Sequence, residues 1–185
     1  MLVVLSYPDL EVVHQSSAMI QLTAPYISGF LAFREAPHLL ALLKGLKVNT
    51  PELYPQVLFV DGNGVLHPAR CGLASHLGVE AGVPTIGIGK KLINVDGLAA
   101  KYQKKKVPVG QTSEVLVGDS GQAWGAACIA KGSSKPVYVS VGHRVGLATA
   151  IALTRRVSLH RIPEPVRQAD LLSRDALRCA DISRA

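Results

Sequence analysis

The sequence has 185 residues, 48% of them hydrophobic, with 20 Lys and Arg against 13 Asp and Glu for a formal charge of +7. This suits one domain over 1–185, able to bury roughly two thirds of the surface its unfolded chain exposes. No apolar run approaches the roughly 18 residues of a membrane span, and the first residues lack a secretory signal.

Cys71, Cys128 and Cys179 are odd in number and show no Cys-x-x-Cys spacing, which argues against a disulfide framework, for a reducing compartment and for structural thiols. A soluble protein with no membrane partner is expected, placed in the cytoplasm, with the nucleus also open. The basic excess favours a polyanionic partner. The one charge run, Lys104-Lys105-Lys106, reads as a solvated loop rather than a binding patch.

In chain order, Met1 to Leu22 reads as a β-hairpin turning at Tyr7-Pro8-Asp9-Leu10. A loop then leads into a helix whose first turn takes Pro37 and whose apolar face runs from Leu39 to Leu46, setting Glu35 at a helix N-terminus. Glu35 could serve there simply as a complement to the helix dipole. Tyr26 sits between Pro25 and Ile27 in the loop, either exposed or partly packed.

Gln56 to Val60 is a short apolar run that reads as a central strand buried on both faces and ending at Asp61-Gly62-Asn63-Gly64. Leu73, Ala74, Leu77, Gly78 and Ala81 recur at helical spacing, and Pro84 to Ile88 gives a second strand ending in Gly89-Lys90-Lys91. Strand, helix and strand imply a right-handed parallel crossover. Gly82 and Gly87 do not make a phosphate-binding loop, because the Lys pair lacks the required spacing and no Ser or Thr follows it.

Residues 93–112 read as a polar, basic insertion. A hairpin over 114–117 and 122–129 follows, then a strand over 135–141 ending in Gly142-His143-Arg144, a helix from Gly146, and a closing helix from Val166. The fold class is α/β, a mixed sheet flanked by helices.

Ligands bind beyond the carboxyl ends of parallel strands in open α/β sheets. Asp61, Lys90 and His143 each follow a strand, and they are expected to meet at one mouth with Glu35. Two carboxylates suit Mg²⁺, which is held jointly by protein and substrate phosphates. A lysine and a histidine beside them suit phosphodiester hydrolysis.

Six stretches together resemble the endonuclease V family. They are Pro25 to Glu35, Val60 to Pro68, Gly72 to Gly78, Pro84 to Lys91, Ser140 to Arg144 and Arg161 to Asp170. The resemblance implies a ribonuclease H-like fold and a Mg²⁺-dependent endonuclease, with Mn²⁺ as a substitute, acting as a monomer on inosine-containing single-stranded RNA or DNA. It would cut at the second phosphodiester on the 3′ side of the inosine, a DNA-repair type of chemistry. Glu35 and Asp61 would hold the metal, and Lys90 and His143 would stand near the scissile phosphate. Tyr26 would be the wedge that fills the space left by the displaced base. Gly29, Leu31 and Gly62 would line the base pocket, and His67 would lie beside it.

Ser28 stands where the family's wedge loop often has a second proline, a replacement that resembles animal-type members. The family also carries a Gly-Val-Asp strand ahead of the hairpin, whose Asp binds metal. No residue before Leu2 supplies that Asp, and Asp9 lies at the wrong end of the hairpin. The expectation is a chain lacking its first strand, with a weakened metal site. A catalytically impaired nucleic-acid-binding form is the alternative, and a fold retained with an idle site is a third reading.

Overall fold

A computed structural model describes residues 1–21, 25, 27, 29–102 and 113–182. Strands β1 (Leu2–Leu5) and β2 (Val12–Ser16) form an antiparallel hairpin. Helix α1 (Leu31–Asn49) leads to β3 (Leu58–Asp61), α2 (Leu73–Ala81) and β4 (Thr85–Gly89). After α3 (Leu98–Tyr102) come β5 (Ser113–Val117), β6 (Ala123–Cys128), β7 (Val137–His143), α4 (Leu147–Arg156) and α5 (Glu164–Ile182).

Among the described residues the main sheet has five strands in the order β3-β4-β7-β6-β5. There β3 and β4 run parallel, while β4 with β7, β7 with β6, and β6 with β5 are antiparallel. This is the mixed sheet flanked by helices that the sequence patterns imply. Ala32, Ala36 and Leu43 of α1 and Leu73, Ala74 and Leu77 of α2 bury the β3 side through Leu58 and Val60. Ile86 and Ile88 of β4 and Val137 and Val139 of β7 meet Ala150 of α4 and Val166 of α5. Alternation along β3 links the two layers, Leu58 and Val60 entering the first and Phe59 packing against the second, since successive side chains leave a strand on opposite faces.

Several expectations need correction. Asp61's strand, read as central and buried on both faces, is an edge strand of the main sheet; Leu58 and Val60 are buried while Asp61 is exposed. The fully buried strand is β4. Helix α1 begins six residues before Pro37, which lies inside it, so Glu35 falls in the second turn and no acidic residue occupies the first. The turn at Ile27 to Phe30 starts the helix instead: the Phe30 N–H donates to the Ile27 carbonyl at 3.0 Å and the Phe33 N–H to the Phe30 carbonyl at 3.2 Å.

The described part of the 93–112 stretch, expected to be a polar insertion, forms α3 and joins a third core cluster. Leu98, Leu66, Leu116 and Trp124 are buried together, with Leu92, Ile93 and Val95 packed against them. Asp96 organises it, accepting from the Trp124 indole at 2.7 Å and the Ser120 hydroxyl at 2.6 Å. These hydrogen bonds, Ser120 first and Trp124 next, hold its carboxyl below the usual range. Lys104 to Lys106 lie outside the described residues.

Among the described residues no helix is long and apolar enough to cross a membrane. Cys128 is buried, and that burial pushes its thiol up to about 12, as a structural thiol requires; Cys71 and Cys179 are exposed.

Candidate active site

The parallel pair β3 and β4 sets the site. In-register pairing of Asp61 with Ile88 brings the carboxyl ends of both strands to the same edge. Lys90, the residue after β4, places its Nζ 2.7 Å from Asp61 Oδ2. Arg161 backs this strand end by donating through Nη2 to the Lys90 carbonyl at 2.9 Å and the Pro136 carbonyl at 3.1 Å.

Glu35 reaches the same region from α1. Its carboxyl is pushed above the ordinary range by partial burial first; Arg34 pulls it down and the charge on Asp61 pushes it up again. The two carboxylates are thus close enough for their charges to interact, while Asp61 is paired with Lys90. Glu35, Asp61 and Leu31 line one cavity of about 1000 Å³ running along the outer edge of β3, between the hairpin, α1 and α5.

Asp170 on α5 lines this cavity too, held by Arg174 at 2.7 Å. It closes the last of the motifs quoted above but had no role there. The signal that could have found it is its spacing: Asp170 stands four residues after Val166, on the side of α5 that faces the core. Among the described residues, no three His, Cys, Asp or Glu side chains cluster closely enough to hold a metal.

The loop after Asp61 explains its glycines by close approach. A Cβ on Gly64 would come within 1.9 Å of the Val141 carbonyl oxygen, and one on Gly87 within 2.4 Å of the Gly64 nitrogen. The Gly64 N–H donates to the Ser140 hydroxyl at 2.9 Å and the Val65 N–H to the Val141 carbonyl at 2.8 Å. The loop thus crosses the sheet where β4 and β7 carry small residues. Gly62, at the start of the crossing, donates to the Ile88 carbonyl at 3.2 Å.

The crossing delivers Leu66 to the core and His67 to its rim. His67 is 8% exposed, and that burial lowers its pKa, which favours the neutral ring. Its Nδ1 accepts the Ala69 N–H at 3.2 Å, so the ring proton resides on Nε2. Nε2 and Cε1 each lie 3.9 Å from where a Cβ on Gly29 would stand. Gly29 has none and turns the chain at φ +84°, a conformation that costs glycine least. Gly29 and His67 therefore lie side by side. Tyr26 lies outside the described residues.

His143 is not brought to this mouth. Because β7 runs antiparallel to β4, His143 pairs with Thr85, the first residue of β4, whereas Lys90 follows the last. The two ends are separated by roughly 13 Å of strand. His143 instead packs against α2, its Cβ standing 2.5 Å from where a Cβ on Gly78 would be. Arg144 donates to the Gly82 carbonyl at 3.1 Å. The Gly-His-Arg turn ties β7 to the end of α2.

The chain is thus a mixed-sheet α/β domain with a lysine–carboxylate pair at the ends of its parallel strands. Comparison with known proteins places it more narrowly. The family model described as Endonuclease V matches residues 1–171. Human Endonuclease V is 53% identical over 182 residues, a match that covers 96% of this chain and 64% of the human protein.

Among solved structures, human ENDOV superposes with a TM-score of 0.91 at 51% identity, covering 97% of this chain and 77% of that one. Ciona intestinalis Endonuclease V, in complex with a 24mer DNA containing an inosine followed by a ribo-adenosine, gives 0.87 at 36% identity, covering 96% and 78%. The chain belongs to the endonuclease V family, and it spans a little under two thirds of the human relative's length.

Proposed function

We propose that this chain carries the site of a metal-dependent endonuclease that cuts inosine-containing single-stranded RNA or DNA at the second phosphodiester 3′ to the inosine. The observation that carries the reading is the Lys90–Asp61 pair at 2.7 Å with Glu35 close enough to feel the charge on Asp61, in a chain of this family. The inosine comes from the nucleic acid bound by the Ciona relative.

Asp61 and Glu35 are hard oxygen donors that repel each other, a donor set that fits Mg²⁺ held jointly with substrate phosphate. When bound, the ion would neutralise phosphate charge and lower the pKa of an attacking water. Lys90, a half-exposed ammonium, would pass from Asp61 to the non-bridging oxygens of the scissile phosphate as negative charge builds there. His67 would present its Nε2–H to an acceptor on a displaced base brought beside Gly29, with Leu31 and Gly62 as further contacts. Tyr26 would stack in the gap the base leaves. His143, at the other end of β4, is given no part in this step.

The test is end-labelled RNA and DNA strands that differ only in one inosine or adenosine, incubated with Mg²⁺, Mn²⁺ or EDTA, with products sized to the nucleotide. The reading expects one product from the inosine strand only, in the presence of metal, cut one nucleotide beyond the inosine's own 3′ phosphate. Uncut inosine strands, or cutting that ignores the base, would defeat it.

A second reading, binding without cutting, is favoured by Asp61 being already neutralised by Lys90. It predicts inosine-selective retention that Asp61→Ala leaves unchanged, with no product.

A further inference from the structure

Phe30 and Phe33 are 58% and 67% exposed, although large aromatic side chains are ordinarily removed from water on folding. They are not scattered singly. Their ring centroids lie 6.0 Å apart at an interplanar angle of 27°, a stacked pair, and His76 of α2 meets Phe33 at 5.4 Å and 78°. Phe30 directly follows the Gly29 turn that faces His67. Beyond Phe33, a shallow groove between α1 and α2 is lined by Pro37, Leu40 and His76, with Lys44 and Glu80 at its rim.

We propose that Phe30, Phe33 and His76 form a base-stacking platform for single-stranded nucleic acid, taking the bases next to the one assigned above to Gly29 and His67. The inference rests on the function proposed above for Gly29 and His67 and extends it to the flanking nucleotides.

Three features commit the surface to this occupant. A stacked pair of exposed rings leaves a face that a further ring continues, and every base offers such a face whatever its sequence. The platform adjoins the base site proposed at Gly29 and His67, since Phe30 is bonded to Gly29, so a strand with one base there would lay its neighbours across these rings. The chain carries +7, with Arg34 and Lys44 on the same helix, which suits a strand of phosphates. A protein partner needs about 800 Å² on each side for a stable interface, more than two rings provide.

The experiment measures binding of the whole chain by fluorescence anisotropy, in EDTA so that nothing is cut. The probes are strands of about 15 nucleotides, with a central inosine or a central adenosine. Phe33→Leu keeps apolar bulk but removes the aromatic face; Phe33→Trp keeps the face. Phe33→Leu and Phe30→Leu should each weaken binding about tenfold, Phe33→Trp should bind at least as tightly as the wild type, and all three should keep the wild-type melting temperature.

Wild-type affinity in both Leu variants overturns the platform. So does a wild type that binds no strand, or loss of self-association by light scattering with strand binding intact, which would mark the rings as a contact between copies. Equal binding of inosine and adenosine strands sinks the inosine reading alone, and the loss in Phe33→Leu would still uphold the platform.

Discussion

Lys90 and Asp61 show 39% and 50% of their side chains to solvent, so their ion pair contributes little to stability, about 1 kcal/mol or less. The same exposure leaves the ammonium free to meet an incoming phosphate. Lys90→Ala should lower the single-turnover cleavage rate by about 10²-fold or more while barely moving the melting temperature. A variant that cuts at the wild-type rate would remove Lys90 from the site.

Glu35 is expected to behave differently. Its folded-state pKa is raised above the ordinary 4.5, first by burial, so it disfavours folding once ionised. That cost is absent below the ordinary value, where folded and unfolded chains are both protonated, and is complete above the folded value. Glu35→Gln should therefore raise the melting temperature at pH 7, and the gap should close as the pH falls toward 4. A gap independent of pH would show that Glu35 is not held in an unfavourable state. Glu35 and Asp61 were legible in the sequence because a carboxylate after an apolar strand and one near a helix start are local patterns. Asp170 was not, because a lone carboxylate in a polar helix looks like solvated surface until its spacing from Val166 is weighed.

At the scale of elements, the loop that crosses β4 and β7 depends on missing side chains. Gly64→Ala places a Cβ 1.9 Å from the Val141 carbonyl oxygen, backbone that cannot swing away, and should cost about 3 kcal/mol or more. Gly45 in α1 has nothing within 4 Å of its Cβ position, so Gly45→Ala should stabilise by about 0.5–1 kcal/mol. Chemical denaturation of the two variants tests both, and similar effects would undo the close-approach account.

The parallel β3-α2-β4 unit was readable because crossover handedness and apolar spacing fix which strand ends meet. The position of His143 was not, since the direction in which β7 joins the sheet is set by pairing with β4, a contact distant in sequence. Pro37 misled in a similar way: it is a good first-turn residue, but the turn at Gly29 and Phe30 starts the helix earlier and α1 carries the proline within it. The third core cluster was hidden because Asp96, Asp119 and Ser120 read as loop polarity until they bond to one another and to Trp124.

For the whole molecule, the charge of +7 implies that strand affinity falls steeply with salt, by a slope of about −0.7 per phosphate neutralised on a single strand. Contacts made by Lys90, Arg34 and Lys44 should each account for about one such phosphate, so neutralising any of them should make the slope shallower by about 0.7. Unchanged slopes in all three variants would place the strand elsewhere on the surface.

The central claim is that Asp61 anchors a metal-dependent cutting site for inosine strands, and single-turnover cleavage by the wild type and Asp61→Asn, each with Mg²⁺ and with EDTA, tests it most directly. The account predicts that the wild type cuts the inosine strand only with Mg²⁺, and that Asp61→Asn cuts at least about 10²-fold more slowly while still binding that strand. Equal rates in the two proteins, or cutting by the wild type in EDTA, would contradict it.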